Sequence, residues 1–282
     1  MTTTTTKLTR SSRARAWLTL TGLFVLGVSL IWGLAIFIWS LTAHTGPATP
    51  APATPATTAS GTVAAAPTIP GRDAGSATAA AEDELAARPM TVVPLAAASP
   101  QPIAATSTAA AALTLPDPTD PATPMPTGFP RTPQGAIAQL AAIDTAAFRN
   151  LNPATLSGVH ARASLPGAVP LAEWTPQVGV TAILRTAGAP AGSPGLTATW
   201  TVTHAQVKGV LDGGDFVLAC VLGELDATYR ATARAGVGDC QRMTWHAGRW
   251  WIGPGAQPAF APSTWPGSAD CVRAGWQEAR RA

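Results

Sequence analysis

The sequence lacks the short motifs that mark common catalytic and cofactor sites. It contains no G-x-S-x-G, Walker A, H-E-x-x-H or G-x-G-x-x-G segment, so it shows no sign of a serine hydrolase, P-loop, zinc-protease or dinucleotide site. The histidines are few and widely separated, at His44, His160, His204 and His246. We therefore assign no catalytic residue, no cofactor and no metal, and predict that the protein is not an enzyme.

Cysteine and net charge are also scarce. There are three cysteines and no C-x-x-C pair, so neither a zinc site nor dithiol redox chemistry is indicated. From residue 127 onward, twelve Lys and Arg residues stand against nine Asp and Glu residues. This small excess does not make the basic surface that nucleic-acid binding needs, and we predict no nucleic-acid partner.

Acidic residues are absent before Asp73, and charge of either sign is absent from Ala16 to Leu41. As a helix, this apolar run would rise about 39 Å, enough to cross a hydrocarbon core about 30 Å thick. Basic residues precede it at Lys7, Arg10, Arg13 and Arg15. Because cytoplasmic flanks carry such an excess, we predict a cytoplasmic tail over 1–15, a transmembrane helix over 16–41 and an extracytoplasmic remainder. A cleaved secretory signal is the alternative, although its apolar region is usually about 7–15 residues long.

Large apolar residues are scarce between the predicted span and residue 127. Ala, Pro and Thr dominate residues 42–127, and the few larger apolar residues follow no helical or strand period. Such a composition buries too little apolar surface to offset the entropy of ordering the chain. We predict a disordered, semi-extended linker over 42–127 that holds the following domain roughly 50 Å from the membrane.

Residues 128–282 carry the patterns of a folded α+β domain. Thr132-Pro133 and Asn152-Pro153 are N-cap and first-turn pairs, which predict helices over 133–149 and 153–162. Strand-like runs follow at 178–185, 196–211, 215–229, 236–246 and 249–252, with a hairpin signal at residues 212–214. A terminal helix is predicted over 268–281. Helices packed on a curved antiparallel sheet would make one α+β layer domain.

The three cysteines leave the disulfide pairing open. Cys220 and Cys240 lie on neighbouring predicted strands, symmetric about residue 230, and an antiparallel pair in that register would place them within disulfide reach. A Cys240–Cys271 bond and three buried thiols are the alternatives. Because the number is odd, at least one thiol is unpaired or intermolecular.

Two sets of residues are candidates for a functional surface. Glu224 and Asp226 share one strand face, where they form either an acidic pair in a concave sheet or part of a solvated face. Trp250 and Trp251 are adjacent on a strand and therefore point to opposite faces. The candidate binding surface consists of tryptophans that could stack on a ligand, although core packing of most of them is the stronger interpretation. These tryptophans are Trp250, Trp251, Trp265 and Trp276.

Four stretches carry a resemblance to a known family: GFPRTPQGAIAQLAAID (128–144), DFVLACVLGELDATY (215–229), GDCQRMTWHAGRWWIGPG (238–255) and APSTWPGSADCVRAGWQ (261–277). They resemble an uncharacterised family of single-span actinobacterial membrane proteins associated with plasmids and integrative elements. The order of tail, span and outer domain is also similar to the bitopic assembly subunit of type IV secretion systems. That second resemblance implies a cone-like domain of nuclear-transport-factor-2-like fold that docks other channel components.

Together these features favour a membrane-anchored extracytoplasmic protein-interaction module within a conjugation or type IV secretion-like assembly. Its expected partners are membrane lipid, through the run from Ala16 to Leu41, and other secretion subunits or cell-wall components. A cell-envelope protein that binds a glycan or a small apolar ligand is the alternative. An isomerase-like enzyme is a third candidate, which would need Glu224, Asp226 or Tyr229 in a closed apolar pocket.

Overall fold

The computed structural model describes residues 72–104, 110–121 and 125–282. These residues form an α+β fold in which helices pack on a strongly curled, half-barrel sheet, and the predicted fold class is confirmed at this level. The helices are α1 Arg72–Ala87, α2 Pro133–Ala147, α3 Pro153–Ala163, α4 Thr175–Ala187 and α5 Ala269–Arg273. The strands are β1 Leu113–Leu115, β2 Thr197–Leu211, β3 Phe216–Tyr229, β4 Ala231–His246, β5 Arg249–Ile252 and β6 Gln277–Arg281.

The six strands lie in the order β1-β6-β2-β3-β4-β5. Strands β2 to β5 form an antiparallel meander, whose first turn is the predicted one at Asp212–Gly214. Strand β6 returns antiparallel to β2, and β1 pairs in parallel with β6. The register of β2 against β3 shifts twice, between Val202 and His204 and between Val207 and Gly209. Such irregularities bend a strand and increase its twist, which favours the curled sheet.

Helices α2, α3 and α4 pack on one face of the sheet, which we call the inner face. Helix α2 begins as predicted, because the Thr132 hydroxyl accepts a hydrogen bond from the Gly135 N–H at 3.1 Å. Asn152 caps α3 in the same way, through the Ala154 N–H at 2.9 Å. The largest hydrophobic cluster lies between these helices and the sheet, so the inner face holds the main core.

The opposite, outer face of the sheet is also apolar, because β3 is apolar without interruption from Phe216 to Leu222. Residues expected to belong to the disordered linker cover it. Leu85 of α1 packs with Phe216 and Leu218, and Met90 packs near the middle of β3. The expected disorder therefore does not hold for this segment. Its few apolar residues need no core of their own, since the sheet supplies the apolar surface that they cover.

Polar contacts hold the same segment against the sheet. The Arg242 side chain is 5% exposed and forms ion pairs with Glu82 at 3.3 Å and Asp83 at 2.8 Å, both on α1. Lys208 Nζ donates hydrogen bonds to the carbonyl oxygens of Ala86, at 3.2 Å, and Arg88. Strand β1, further along the expected linker, is part of the sheet. The folded unit therefore begins well before residue 128.

The structure differs from the strand predicted over 178–185, since these residues belong to α4. Pro176 stands in the first turn of α4, and Gly188 follows its end with a φ of 58°; both mark helix boundaries. Val180 and Leu184, four residues apart, are buried on one side of the helix. A strand-like run is a weak local signal, and packing on the core overrides it here.

The predicted terminal helix over 268–281 is also wrong beyond its first turn. Ser268 caps α5 by accepting a hydrogen bond from the Cys271 N–H at 3.2 Å, but the helix ends at Arg273. Gly275, with a φ of 83°, follows in a conformation that favours glycine. The chain then forms β6, which pairs with the edge of β2 and with β1.

The predicted tail over 1–15, the predicted transmembrane helix over 16–41 and linker residues 42–71 lie outside the described residues. Within the ranges that the structure does describe, no helix combines the length and the apolar character needed to cross a bilayer.

Candidate functional site

A cleft of about 380 Å³ opens between α2 and the end of the sheet formed by β1, β6 and β2. Its walls are mostly apolar and include Leu115, Phe129, Trp200 and Val202, together with three prolines and small residues of α2. The polar part of the lining consists of two threonines and three arginines: Thr145, Thr201, Arg149, Arg280 and Arg281. The cleft thus joins an apolar interior to a cationic rim.

The small residues of α2 make room for the cleft. Ala138, Ala141, Ala142 and Thr145 all line it and recur at the spacing of one helix face. Ala138 and Ala141 are 6% exposed and belong to the main core, whereas Ala142 is partly exposed and Thr145 is exposed. The cleft therefore lies along a side of α2 that carries short side chains and becomes more exposed toward Thr145.

Trp200 of β2 forms one wall of the cleft and is held from three sides. Its ring stacks on Phe148, with centroids 6.0 Å apart and planes at 24°, and its Nε1 donates to the Val237 carbonyl at 3.4 Å. On β3, a Cβ at Gly223 would lie 2.1 Å from the indole ring. Glycine at 223 is therefore what lets Trp200 lie flat against the sheet.

Two of the lining arginines, Arg149 and Arg281, belong to backbone near Trp200. Arg149 directly follows Phe148, which stacks on Trp200. The antiparallel pairing of β6 with β2, in register at His204↔Glu278, continues with Arg281 in the direction of Thr201 and Trp200. Arg280 is paired with Glu278 at 2.8 Å. Within the described part of the chain, neither Arg149 nor Arg281 has an ion-pair partner.

A second polar feature lies in the core itself. Asp144 of α2 and Asp239 of β4 are 0% and 1% exposed. Burial raises the pKa of Asp144 well above its ordinary value, and the charge of Asp239 raises it further. Burial also raises the pKa of Asp239, to about 7, against the opposing effect of a hydrogen bond from Gln241. Burial therefore favours the neutral, protonated form of both carboxyls, and the charge on one disfavours ionisation of the other.

A network of amide side chains fixes Asp239. Gln241 Nε2 donates to both carboxyl oxygens of Asp239, at 2.9 and 3.1 Å. Gln257 Nε2 donates to the Cys240 carbonyl at 3.0 Å, and its Oε1 accepts from the Thr175 N–H at 3.3 Å. By contrast, the Asp144 carboxyl has no hydrogen-bond partner within the described ranges. Neither aspartate lines the cleft.

Comparison of the chain with protein-family models, with curated proteins and with solved structures finds no match. The functional argument therefore rests on the geometry of the cleft.

The four tryptophans of the predicted binding surface do not form one surface. Trp250, Trp265 and Trp276 are buried. The indole nitrogens of Trp250 and Trp276 donate to the carbonyl oxygens of Pro130 at 2.8 Å and Pro262 at 3.1 Å. Trp251 is partly exposed, and the Arg249 guanidinium lies 3.3 Å from its ring centre. These tryptophans serve mainly in packing, because each large ring finds an apolar layer on one face of the sheet or the other.

The two carboxylates of the predicted acidic pair both contact Arg234. Glu224 accepts a hydrogen bond from Arg234 Nε at 2.7 Å, and Asp226 lies 3.7 Å from the same nitrogen. Tyr229 borders a separate void of about 20 Å³, which is too small for a substrate. None of Glu224, Asp226 and Tyr229 lines the cleft.

Cys220 and Cys240 form a disulfide between directly opposed positions of β3 and β4, with their Cα atoms 4.1 Å apart. Of the three arrangements left open by the sequence, this is the one in the structure. Cys271 is a buried free thiol. Among the described residues, no group of three or more His, Cys, Asp and Glu side chains is placed to hold a metal ion.

Sequence reasoning missed both the cleft and the core carboxyl pair. One signal was available for the pair, because Asp144 follows Leu140 by four residues and so lies on the apolar side of the predicted helix. No comparable signal marked the cleft, since alanines on a helix are compatible with close packing as well as with an opening.

Proposed function

We propose that this chain is a membrane-anchored, extracytoplasmic binding protein whose folded domain takes up a small, largely apolar ligand in the cleft beside α2. The observation that carries the proposal is the cleft itself, with about 380 Å³ of volume and mostly apolar walls. Small-molecule sites typically have volumes of roughly 300–1,000 Å³, apolar walls and a few polar groups that orient the ligand.

The anchor in this proposal is the uncharged run from Ala16 to Leu41, with the basic residues before it on the cytoplasmic side. Since the folded unit already includes α1, the linker that separates it from the membrane is residues 42–71, about 30 residues. This segment has fewer residues than the linker over 42–127 that the sequence alone predicts.

Binding is favoured over catalysis by the chemistry of the lining. The cleft offers guanidinium and hydroxyl groups and apolar surface, and its lining includes no His, Cys, Asp, Glu or Lys side chain. General acid–base catalysis needs a group that exchanges a proton near the operating pH, which arginine does not do. The inner-face helices and curled sheet support the nuclear-transport-factor-2-like architecture that we include in this proposal.

A role in a conjugation or type IV secretion-like assembly is a second candidate, favoured by the end of the sheet. Strand β1 is the last strand there and is three residues long, with Thr114 exposed. An extended segment of a partner subunit could continue the sheet by pairing with β1. A photoreactive residue at Thr114 should then crosslink a second subunit in cells, whereas one at exposed Ala191 should not.

Ligand uptake is tested by isolating the full chain from its own cells in a polymer-stabilised form and analysing organic extracts by mass spectrometry. We expect a small molecule at near-stoichiometric amount. Ala142→Phe, which fills the cleft, should abolish recovery of this small molecule. Ala191→Phe, in an exposed loop, should leave its recovery unchanged. Equal recovery from both variants, or from neither, would contradict the proposal.

Reporter fusions after residue 60 should be active only outside the cytoplasm, and cytoplasmic activity would overturn the topology.

A further inference from the structure

We propose that the ligand of the cleft is an anionic amphiphile, with one hydrocarbon chain in the apolar interior and one carboxylate or phosphate head held by Arg149 and Arg281. The inference rests on the proposed ligand-binding function and names the chemistry of the ligand.

The walls of the cleft select a hydrocarbon chain over a glycan or a peptide. Apart from the arginines, the lining side chains that form hydrogen bonds are the hydroxyl groups of Thr145 and Thr201. The prolines of the lining have no backbone N–H to donate. A glycan or a peptide would leave many of its own polar groups without partners in such surroundings, which is unfavourable. A hydrocarbon chain has no such groups.

The rim of the cleft selects an anionic head. Arg149 and Arg281 line the same cleft without an ion-pair partner among the described residues, and Glu278 already neutralises Arg280. Both residues belong to backbone near Trp200, since Arg149 follows the residue that stacks on Trp200 and Arg281 continues β6 beside β2. Guanidinium groups bind carboxylate and phosphate through paired N–H donors.

The lining of α2 gives the ligand a direction. Its small residues run from Thr145, one turn before Arg149, back to Ala138. At about 1.5 Å per residue, the distance along the helix from Thr145 to Ala138 is about 10 Å. A head bound at the arginines would therefore extend its chain along α2 toward Ala138, at the other end of this row, with Phe129 as an aromatic residue of the same lining.

The test uses the full chain, stabilised by an amphipathic polymer, and a twelve-carbon carboxylate with a photoreactive diazirine at the far end of its chain. After illumination, peptide mass spectrometry should place the label near Phe129 and Ala138. Arg149→Gln/Arg281→Gln should reduce labelling by about tenfold or more, because two charge-assisted hydrogen-bond groups are lost. The control Arg185→Gln, on an exposed part of α4, should leave labelling unchanged.

Competition identifies the head. Unlabelled dodecanoate or dodecyl phosphate should suppress labelling, and the stronger of the two identifies the head group, whereas dodecylamine and dodecanol should compete at least tenfold more weakly. Equal competition by the amine or the alcohol, or labelling insensitive to the double arginine variant, would overturn the inference.

If the cells yield a bound neutral molecule whose recovery Ala142→Phe abolishes, the proposed function stands and this inference fails. If neither a cellular ligand nor the probe binds in the cleft, both fail.

Discussion

Asp144 of α2 and Asp239 of β4 lie close enough within the core for the charge on one carboxyl to raise the pKa of the other. Both are essentially inaccessible to solvent. Two ionised carboxylates so placed would repel each other and lose their hydration, and both effects raise the pKa of Asp144. The helix layer and the sheet are thus joined at a point whose charge depends on pH.

This pair should make the domain less stable as pH rises from about 4 to about 7. In the unfolded chain both carboxyls ionise near the ordinary Asp pKa of 3.8, whereas in the folded state the pKa of Asp239 is about 7 and that of Asp144 is well above 3.8. Between these values the folded state binds more protons, so its stability falls as pH rises. The midpoint of thermal unfolding, followed by tryptophan fluorescence, should be lower at pH 7.5 than at pH 5.

The Asp144→Asn variant isolates this effect. It should change the unfolding midpoint little at pH 5 and raise it at pH 7.5, because an amide needs no proton to remain neutral. Asp117→Asn, at an exposed position, is the matched control and should preserve the wild-type pH dependence. An Asp144→Asn variant with the same pH dependence as the wild type would contradict the role of the pair.

The attachment of α1 to the sheet should depend on Arg242. Glu82→Gln/Asp83→Asn would leave the 5% exposed Arg242 side chain without its ion pairs. We expect the attachment to weaken by about 2 kcal/mol, a value kept low because the Asp83 side chain is 66% exposed. Hydrogen exchange of backbone amides in residues 72–98 should become faster, while exchange in β3 should not.

Glu84→Gln is the control for α1. Glu84 is an exposed acidic residue on the same helix, and Arg242 makes no ion pair with it. Its replacement should leave hydrogen exchange of residues 72–98 at the wild-type rate. Equal acceleration in both variants would mean that the general charge of α1, rather than Arg242, governs its attachment.

The Cys220–Cys240 disulfide should be detectable and stabilising. Peptide mapping without reduction should recover the linked peptides, with Cys271 as a free thiol that alkylates slowly because it is buried. Replacing both linked cysteines by serine should reduce the free energy of unfolding by about 3 kcal/mol, since the bond closes a loop of 20 residues. Cys271→Ala is the control that removes a thiol without removing the bond. Free thiols at both 220 and 240 would contradict the structure.

Gly223 and Gly158 should respond in opposite ways to the same substitution. A Cβ at 223 would lie 2.1 Å from the Trp200 ring, so Gly223→Ala should displace the indole and cost about 1–3 kcal/mol. At Gly158, inside α3, the nearest contact is an Arg162 nitrogen at 3.5 Å, and Gly158→Ala should stabilise by about 0.5–1 kcal/mol. Denaturant unfolding followed by circular dichroism measures both. A Gly223→Ala variant as stable as the wild type would mean that Trp200 does not pack as described.

Local signals predicted the parts of the fold in which neighbouring residues suffice. The caps at Thr132 and Asn152 bond the backbone within three residues, and both helices start where these residues predict. The turn at Asp212–Gly214 depends on residues that tolerate positive φ, and it also lies where predicted. Elements whose conformation depends on distant partners were not predictable in this way. Residues 178–185 become a helix by packing on the core, and residues 277–281 become a strand by pairing with β1 and β2.

The candidate site was less predictable than the fold. The cleft exists because short side chains on α2 face Trp200 and β6, and these elements are separated along the chain by dozens of residues. The tryptophans that appeared available for stacking are mostly buried, because both faces of the sheet are covered. The outer face is covered by residues 72–98, although the composition of this segment alone indicates disorder.

The sequence by itself determined the features that depend on local composition: the uncharged run from Ala16 to Leu41, the helix starts, the hairpin turn and the α+β class. Tertiary structure decided where the folded unit begins, which cysteines pair, which tryptophans are buried and where an opening remains. The physical reason is that burial is a property of pairs of surfaces. A sparse apolar segment such as Leu85 to Val93 cannot form a core alone, yet it orders on a sheet whose second face must be covered.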